Sequence, residues 1–299
     1  MTDVYKRVTS RIECDWYPFH TDEEFTQDDI CRHFQWNEPD TRHAVSQKLY
    51  NDKMKKPEPF LEKRGKAYRI IDRSLDEMDW QGADPSNVWD IILPFNLQKY
   101  VKIPPKGVII IAGSSNAGKT GWMYNVITKN MYKHEIWLWN SETSLEVMKE
   151  RFDLFEEDIP NPPPFHTNER FDNFADIIKP DAFNVIDYVD SDSDYYNSVA
   201  EISKIYRVLK GGIAVIGLQK KSNTKDKWGN ITEYDVGYGG EPTLKRASLY
   251  IALNPGKLKI VKGKSWVNRQ LNPNGMRWTH KLVDGCKFVN IVQEYEGEE

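Results

Sequence analysis

The chain has 299 residues, 39% apolar and 29% charged, with 10 Trp, 15 Tyr and 12 Phe. That aromatic content excludes a disordered chain, and the length provides for one large domain or two of ordinary size. A formal net charge of −4 excludes no class of partner, because local basic patches survive inside a mixed chain.

Cys14, Cys31 and Cys286 stand far apart, with no CxxC or Cys/His spacing, and read as reduced thiols rather than zinc ligands. The opening residues hold no apolar run of the signal-peptide kind, and no segment approaches the ~18 apolar residues of a membrane span. The expectation is a cytoplasmic protein without a membrane partner.

In chain order, residues 26–34 predict a short helix capped by Thr26, and residues 38–53 a second helix with Ala44, Val45 and Leu49 turned inward. Residues 60–71 predict a β-hairpin turning near Gly65. Residues 41–73 carry ten Lys/Arg against four Asp/Glu. Helix, helix and basic hairpin together resemble a winged helix, a small α+β fold, over a domain of residues 1–74. That resemblance implies a second helix in the major groove and a hairpin on the phosphate backbone, with Arg42, His43, Gln47, Lys48, Lys63, Arg64 and Lys66 as DNA contacts. A winged helix that binds only protein is the alternative. Residues 75–92, acidic and interrupted by Gly82 and Pro85, read as a linker.

Residues 93–299 have the alternation of an α/β domain. Short apolar runs at 108–112, 136–139, 183–186, 213–218 and 249–253 suit strands of a mostly parallel sheet buried on both faces. Helical patterns at 121–131, 144–155 and 198–209 fall between them, and β-hairpins at the sheet edge follow residue 253.

Between the first run and its helix lie Gly113, Ser114, Ser115, Asn116, Ala117, Gly118, Lys119 and Thr120, which match the phosphate-binding pattern GxxxxGK[ST]. The glycines let the backbone wrap so that its N–H groups face phosphate oxygens, and the helix start adds its positive dipole end. Lys119 is placed to neutralise the β- and γ-phosphates and the Thr120 hydroxyl to coordinate Mg²⁺. ATP with Mg²⁺ is therefore the expected ligand. Asp187, at the carboxyl end of Phe-Asn-Val-Ile-Asp, is placed to hold the metal's water shell. Glu142 reads either as a general base for water or as an acid serving the N-terminus of the next helix. Gln219, at a strand tip, reads as a γ-phosphate sensor or as an exposed loop residue.

In this order, GSSNAGKT, WNSETSLEVMKERF, NVIDYVD and VIGLQKKSN resemble the RecA-like ATPase core, in its DnaB helicase and RadA/KaiC-like branch. The resemblance runs over about residues 93–292. It implies Glu142 as catalytic base, Asp187 with the following Tyr188 as the Mg²⁺-side motif, and Gln219 as sensor. It also implies a pair of late-strand cations, Lys262 and Lys264, reaching a neighbouring subunit's ATP in a ring or filament. Arg is usual where Lys264 stands, and lysine cannot fork onto a phosphate as arginine does; Arg269 is a nearby substitute. The loops after the Asp187 and Gln219 strands are implied to face nucleic acid. The first, residues 191–196, is acidic with two tyrosines. The second offers Lys220, Lys221, Lys225 and Lys227 for phosphates and Trp228 for stacking on single-stranded DNA. Residues 294–299 read as a solvated acidic tail. The function expected is a DNA-directed oligomeric ATPase, a helicase- or recombinase-like motor of phage or mobile-element type. The alternatives are an ATP-controlled DNA-binding regulator and an ATP-assembled scaffold.

Overall fold

The structure, a computed structural model, describes residues 3–21, 23–75, 77–187, 195–229 and 231–294. Tyr188, residues 191–194 of the acidic loop, Asn230 and residues 295–299 of the tail lie outside them. The chain divides into two compact units, Met1–Ala83 and Asp84–Glu299.

The first unit holds three helices and a hairpin, where the sequence reading expected two helices. The additional helix, α1 (Asp3–Asp15), presents Val4, Val8, Ile12 and Trp16 at four-residue spacing to the core. One apolar residue per turn among charged neighbours is a thin signal. Helix α2 (Gln27–His33) starts in a capping box, with the Asp29 amide donating to Thr26 Oγ1 at 3.2 Å and the Thr26 amide to Asp29 at 2.8 Å. Helix α3 (Pro39–Met54) buries Ala44, Val45 and Leu49. Strands β1 (Leu61–Arg64) and β2 (Ala67–Ile70) pair antiparallel around Gly65, and Phe25 adds one bridge to Tyr68.

Lys48 corrects the expected set of DNA contacts. Its side chain is only 7% exposed, and its ammonium donates to Glu13 of α1 and, at 2.9 Å, to Asp52. Tyr17 donates to the same Asp52 at 2.7 Å. Burial pulls the Lys48 pKa down, but Glu13 and Asp52 outweigh it and raise the pKa above the ordinary lysine value. This lysine ties α1 to α3 and has no free charge for a phosphate. Much of the remaining basic excess is answered too: Arg42 pairs with Asp28, and Arg64 with Glu24 at 3.0 Å and Glu62 at 3.1 Å. Lys63 and Lys66 stay exposed. Over the whole of Met1–Ala83 there are 17 Asp/Glu against 14 Lys/Arg, so the basic window is balanced by acids that precede it.

The second unit is built on a nine-stranded sheet. Its strands are β3 (Val108–Gly113), β4 (Ile136–Asn140), β5 (His166–Glu169), β6 (Phe183–Asp187), β7 (Ile213–Gln219), β10 (Leu249–Asn254), β11 (Lys257–Gly263), β12 (Arg277–Val283) and β13 (Lys287–Glu294). The order is β13-β12-β11-β10-β3-β7-β6-β4-β5, parallel from β10 through β5 and antiparallel from β10 to β13. Strands β8 (Thr224–Lys225) and β9 (Ile231–Thr232) form a separate antiparallel ribbon inside what the sequence suggested was a plain loop. Strand β5 was not expected: its His-Thr-Asn-Glu is exposed throughout and carries no apolar signal.

Alternation along β3 explains its complete burial. Ile109 and Ile111 face one core with Trp122, Met123, Val126 and Ile127 of α4 (Lys119–Asn130). Val108, Ile110 and Ala112 face the other with Ile202, Ile205 and Leu209, from α6 (Tyr195–Val208) and the residue after it. Helix α5 (Leu145–Phe152), capped by Ser144, sends Met148 and Phe152 into the first core. Among the described residues, no helix is long and apolar enough to cross a membrane.

Candidate functional site

Every part of the site sits at the carboxyl ends of parallel strands, where an open α/β sheet leaves its crevice. The turn after β3 enters α4 through Gly118, whose φ of 94° is left-handed. A Cβ there would come within 3.0 Å of Leu282 and 3.2 Å of Phe288, so the position needs glycine for space as well as conformation. Lys119 folds back over the loop. Its ammonium donates to Gly113 O at 3.3 Å, Ser114 O at 3.4 Å and Gln219 Oε1 at 2.8 Å. Burial lowers its pKa, and Glu142 and Asp187 offset part of that.

Strand order brings the sensor candidate to the lysine. Strand β7 lies between β3 and β6, with Gln219 in register with Gly113. While its oxygen accepts from Lys119, its Nε2 donates to Ser115 Oγ at 3.0 Å. Gln219 thus bridges two residues of the phosphate loop.

Thr120 and Asp187 also meet, Thr120 Oγ1 donating to Asp187 Oδ1 at 3.1 Å. Asp187 is fully buried and its Oδ2 has no hydrogen-bond partner. Burial first, then the charge of Glu142, pushes the Asp187 pKa up to about 7, against the lowering influence of Thr120, Lys119 and Arg151. A buried carboxylate oxygen with no donor, beside a threonine hydroxyl, fits a hydrated Mg²⁺. Strand β4 pairs with β6 so that Asn140 stands opposite Asp187, and Glu142 follows two residues beyond. Glu142 is exposed and lines a cavity of ≈ 540 Å³ with Asn116, Gly118, Lys119 and Thr120.

Two contributors to that cavity escaped the sequence reading. Arg151 comes from α5, one turn beyond Val147, and both line the cavity. Its cationic influence reaches Asp187. The available signal was the i, i+4 spacing from Val147 on a helix starting just after Glu142. The second is the β12–β13 hairpin: Leu282 and Gly285 form a wall, and a Cβ on Gly121 would lie 2.6 Å from Gly285 O. No local feature of residues 277–294 points to a phosphate loop more than 150 positions away.

Other candidates lie elsewhere. Lys220 was expected on nucleic acid and is instead 1% exposed, donating to Lys221 O, Tyr234 O and Asn254 Oδ1. With all three protons used internally it has none for a phosphate. Lys221, Lys225 and Lys227 are exposed, as is Trp228 at 75%, with Lys227 4.3 Å from its ring centroid. Lys262 is half-buried and donates to Leu244 O at 2.6 Å. Lys264 and Arg269 line a separate cavity of ≈ 370 Å³ with Lys102 and Trp266. Neither Lys262, Lys264 nor Arg269 lines the phosphate-loop cavity of its own chain.

No family model and no curated protein matches the chain. Among solved structures it is similar to a KaiC-like protein from the hyperthermophilic archaeon Pyrococcus horikoshii OT3, with a TM-score of 0.50 and 13% identity, over 71% of this chain and 100% of that one. At that identity the likeness shows a common fold, an α/β core of the RecA-like, KaiC-like type.

Proposed function

From that fold and this cavity, we propose that the chain is a Mg²⁺-dependent ATP hydrolase that works as an oligomer on DNA. The observation that carries the reading is the convergence of Lys119, Gln219, Thr120, Asp187 and Glu142 on one phosphate loop, from three different strand ends. Thr120 and Asp187 would hold Mg²⁺, which when bound neutralises charge on the β- and γ-phosphates. Lys119 turns its ammonium from neutral carbonyl acceptors to the same phosphates. Glu142 accepts a proton from water as the water oxygen bonds to the γ-phosphorus and the bond to the β–γ bridging oxygen breaks, releasing ADP and phosphate. Arg151 adds a cation from the same chain.

The finer points rest on less. Lys221, Lys225, Lys227 and Trp228 on the exposed ribbon support contact with single-stranded DNA. Lys264 and Arg269, away from their own chain's cavity, support a role toward a nucleotide on a second copy. A DnaB-type helicase of phage or mobile-element origin rests on motif order alone. One observation favours the scaffold or regulator reading. Lys48 and Lys220 are withdrawn from any DNA contact, and the first unit is more acidic than basic. ATP hydrolysis is to be measured alone, with single-stranded and with duplex DNA. At least a threefold rise with one of them is expected. ATP binding with turnover indifferent to both would sink the motor reading and leave the scaffold.

Asp187 sets a pH dependence. Its pKa of about 7 lies above the unfolded carboxylate value of 3.8, so the neutral form is the native one in the free protein below pH 7. The stability this contributes is complete below the unfolded value and is lost as pH rises through about 7. Mg²⁺ needs the ionised form, so Mg–ATP affinity moves oppositely. It is expected to be about tenfold weaker at pH 6 than at pH 8, with about one proton released per site at the lower pH. Calorimetric titration at both pH values checks this, and an Asp187→Asn variant should show no such dependence.

A further inference from the structure

Lys220 is among the largest fully buried side chains of the described residues, and no described carboxylate lies within salt-bridge distance of it. The nearest acids are engaged elsewhere, Asp235 with Lys259 and Glu233 with Arg277. Burial lowers its pKa. A buried cation held only by neutral acceptors is a poor device for stability, since an apolar side chain would fill the space without losing hydration.

Its three acceptors are informative. Lys221 O lies at 3.2 Å, where the chain leaves β7, and Tyr234 O at 2.7 Å, where it returns from the β8–β9 ribbon. Asn254 Oδ1 lies at 2.6 Å, at the tip of β10. One ammonium therefore clasps both legs of the ribbon and anchors them to the sheet. The backbone holds Lys220 as firmly to the phosphate loop, its amide donating to Gly113 O at 3.1 Å. The preceding residue is Gln219, which bridges Lys119 and Ser115.

We propose that Lys220 is a positioning residue that makes the order of the exposed Lys221–Tyr234 ribbon depend on nucleotide at the phosphate loop. The inference rests on the ATP reading. Nucleotide phosphates draw Lys119 away from Gln219 Oε1. Gln219 then readjusts, and Lys220, its neighbour on the same strand, carries the shift to both ribbon legs at once. Without the clasp, the ribbon legs are joined to β7 by the chain alone.

The test is hydrogen–deuterium exchange over residues 221–236 of the full chain, with and without Mg–adenylyl-imidodiphosphate, alongside calorimetric binding of that nucleotide. In the wild type, nucleotide is expected to change ribbon exchange at least threefold. Lys220→Met should bind within about threefold of wild-type affinity and show no such change. Should Lys220→Met fail to fold, judged by its melting temperature, Asn254→Ala removes one acceptor while keeping the lysine and should halve the response or abolish it. A wild-type response in folded Lys220→Met, or in Asn254→Ala where that stands in for it, overturns the proposal. So does a wild type that binds nucleotide without a change in the ribbon. A wild type that binds no nucleotide overturns the ATP reading and the proposal together.

Discussion

Lys119→Ala is expected to weaken ATP binding at least a hundredfold while leaving the fold intact. The ammonium now donates to two backbone carbonyls and to Gln219, all neutral, so its position is already aimed at the loop. Hydrogen bonds to charged groups contribute about 1.5–3 kcal/mol each, and losing such bonds to two phosphates corresponds to about two to three decades in affinity. The cost to the ligand-free fold is small, because burial disfavours the ammonium there and lowers its pKa. The variant should therefore melt within a few degrees of wild type while calorimetry finds little or no binding. Affinity within threefold of wild type would mean that the loop does not hold phosphates through this residue, and the ATP reading would fall.

Glu142→Gln separates chemistry from binding. Removing a general base costs about 10²–10⁴ in rate, while glutamine keeps the shape of the side chain. Glu142 lines the cavity but is exposed, so the exchange should not disturb packing. Turnover is expected to fall by at least a hundredfold, with nucleotide affinity within about threefold at pH 8. A second consequence follows from electrostatics. The Glu142 charge is the second cause of the raised Asp187 pKa, after burial. Its loss should lower that pKa and flatten the difference in Mg–ATP affinity between pH 6 and pH 8. A drop in turnover of less than tenfold would assign the base to another residue. A large drop with an unchanged pH dependence of binding would separate the catalytic role from the electrostatic one.

Much of the second unit was legible because its signals are contiguous. A β-branched run buried on both faces, a glycine-bounded loop and a helix follow one another within residues 108–131, and each is recognisable without its neighbours in space. Asp187 was legible for the same reason, ending an apolar strand. Strand β5 and helix α1 were not, the first because an exposed polar edge strand has no periodicity to read, the second because its apolar stripe is one residue wide.

By itself, the sequence determined the phosphate loop, the α/β alternation and the strand ends at which acids and amides stand, since all depend on neighbours a few positions away. The tertiary structure alone decided what each charge does. Lys48 is enclosed by Glu13, 35 positions earlier, and Lys220 by Asn254, 34 positions later. Arg151 and the β12–β13 hairpin enter the cavity only because the sheet order folds them over it. A lysine's composition is the same in solvent and in a core. Whether it meets a phosphate or a carbonyl is set by which distant groups desolvate it, and that is a property of the packed fold.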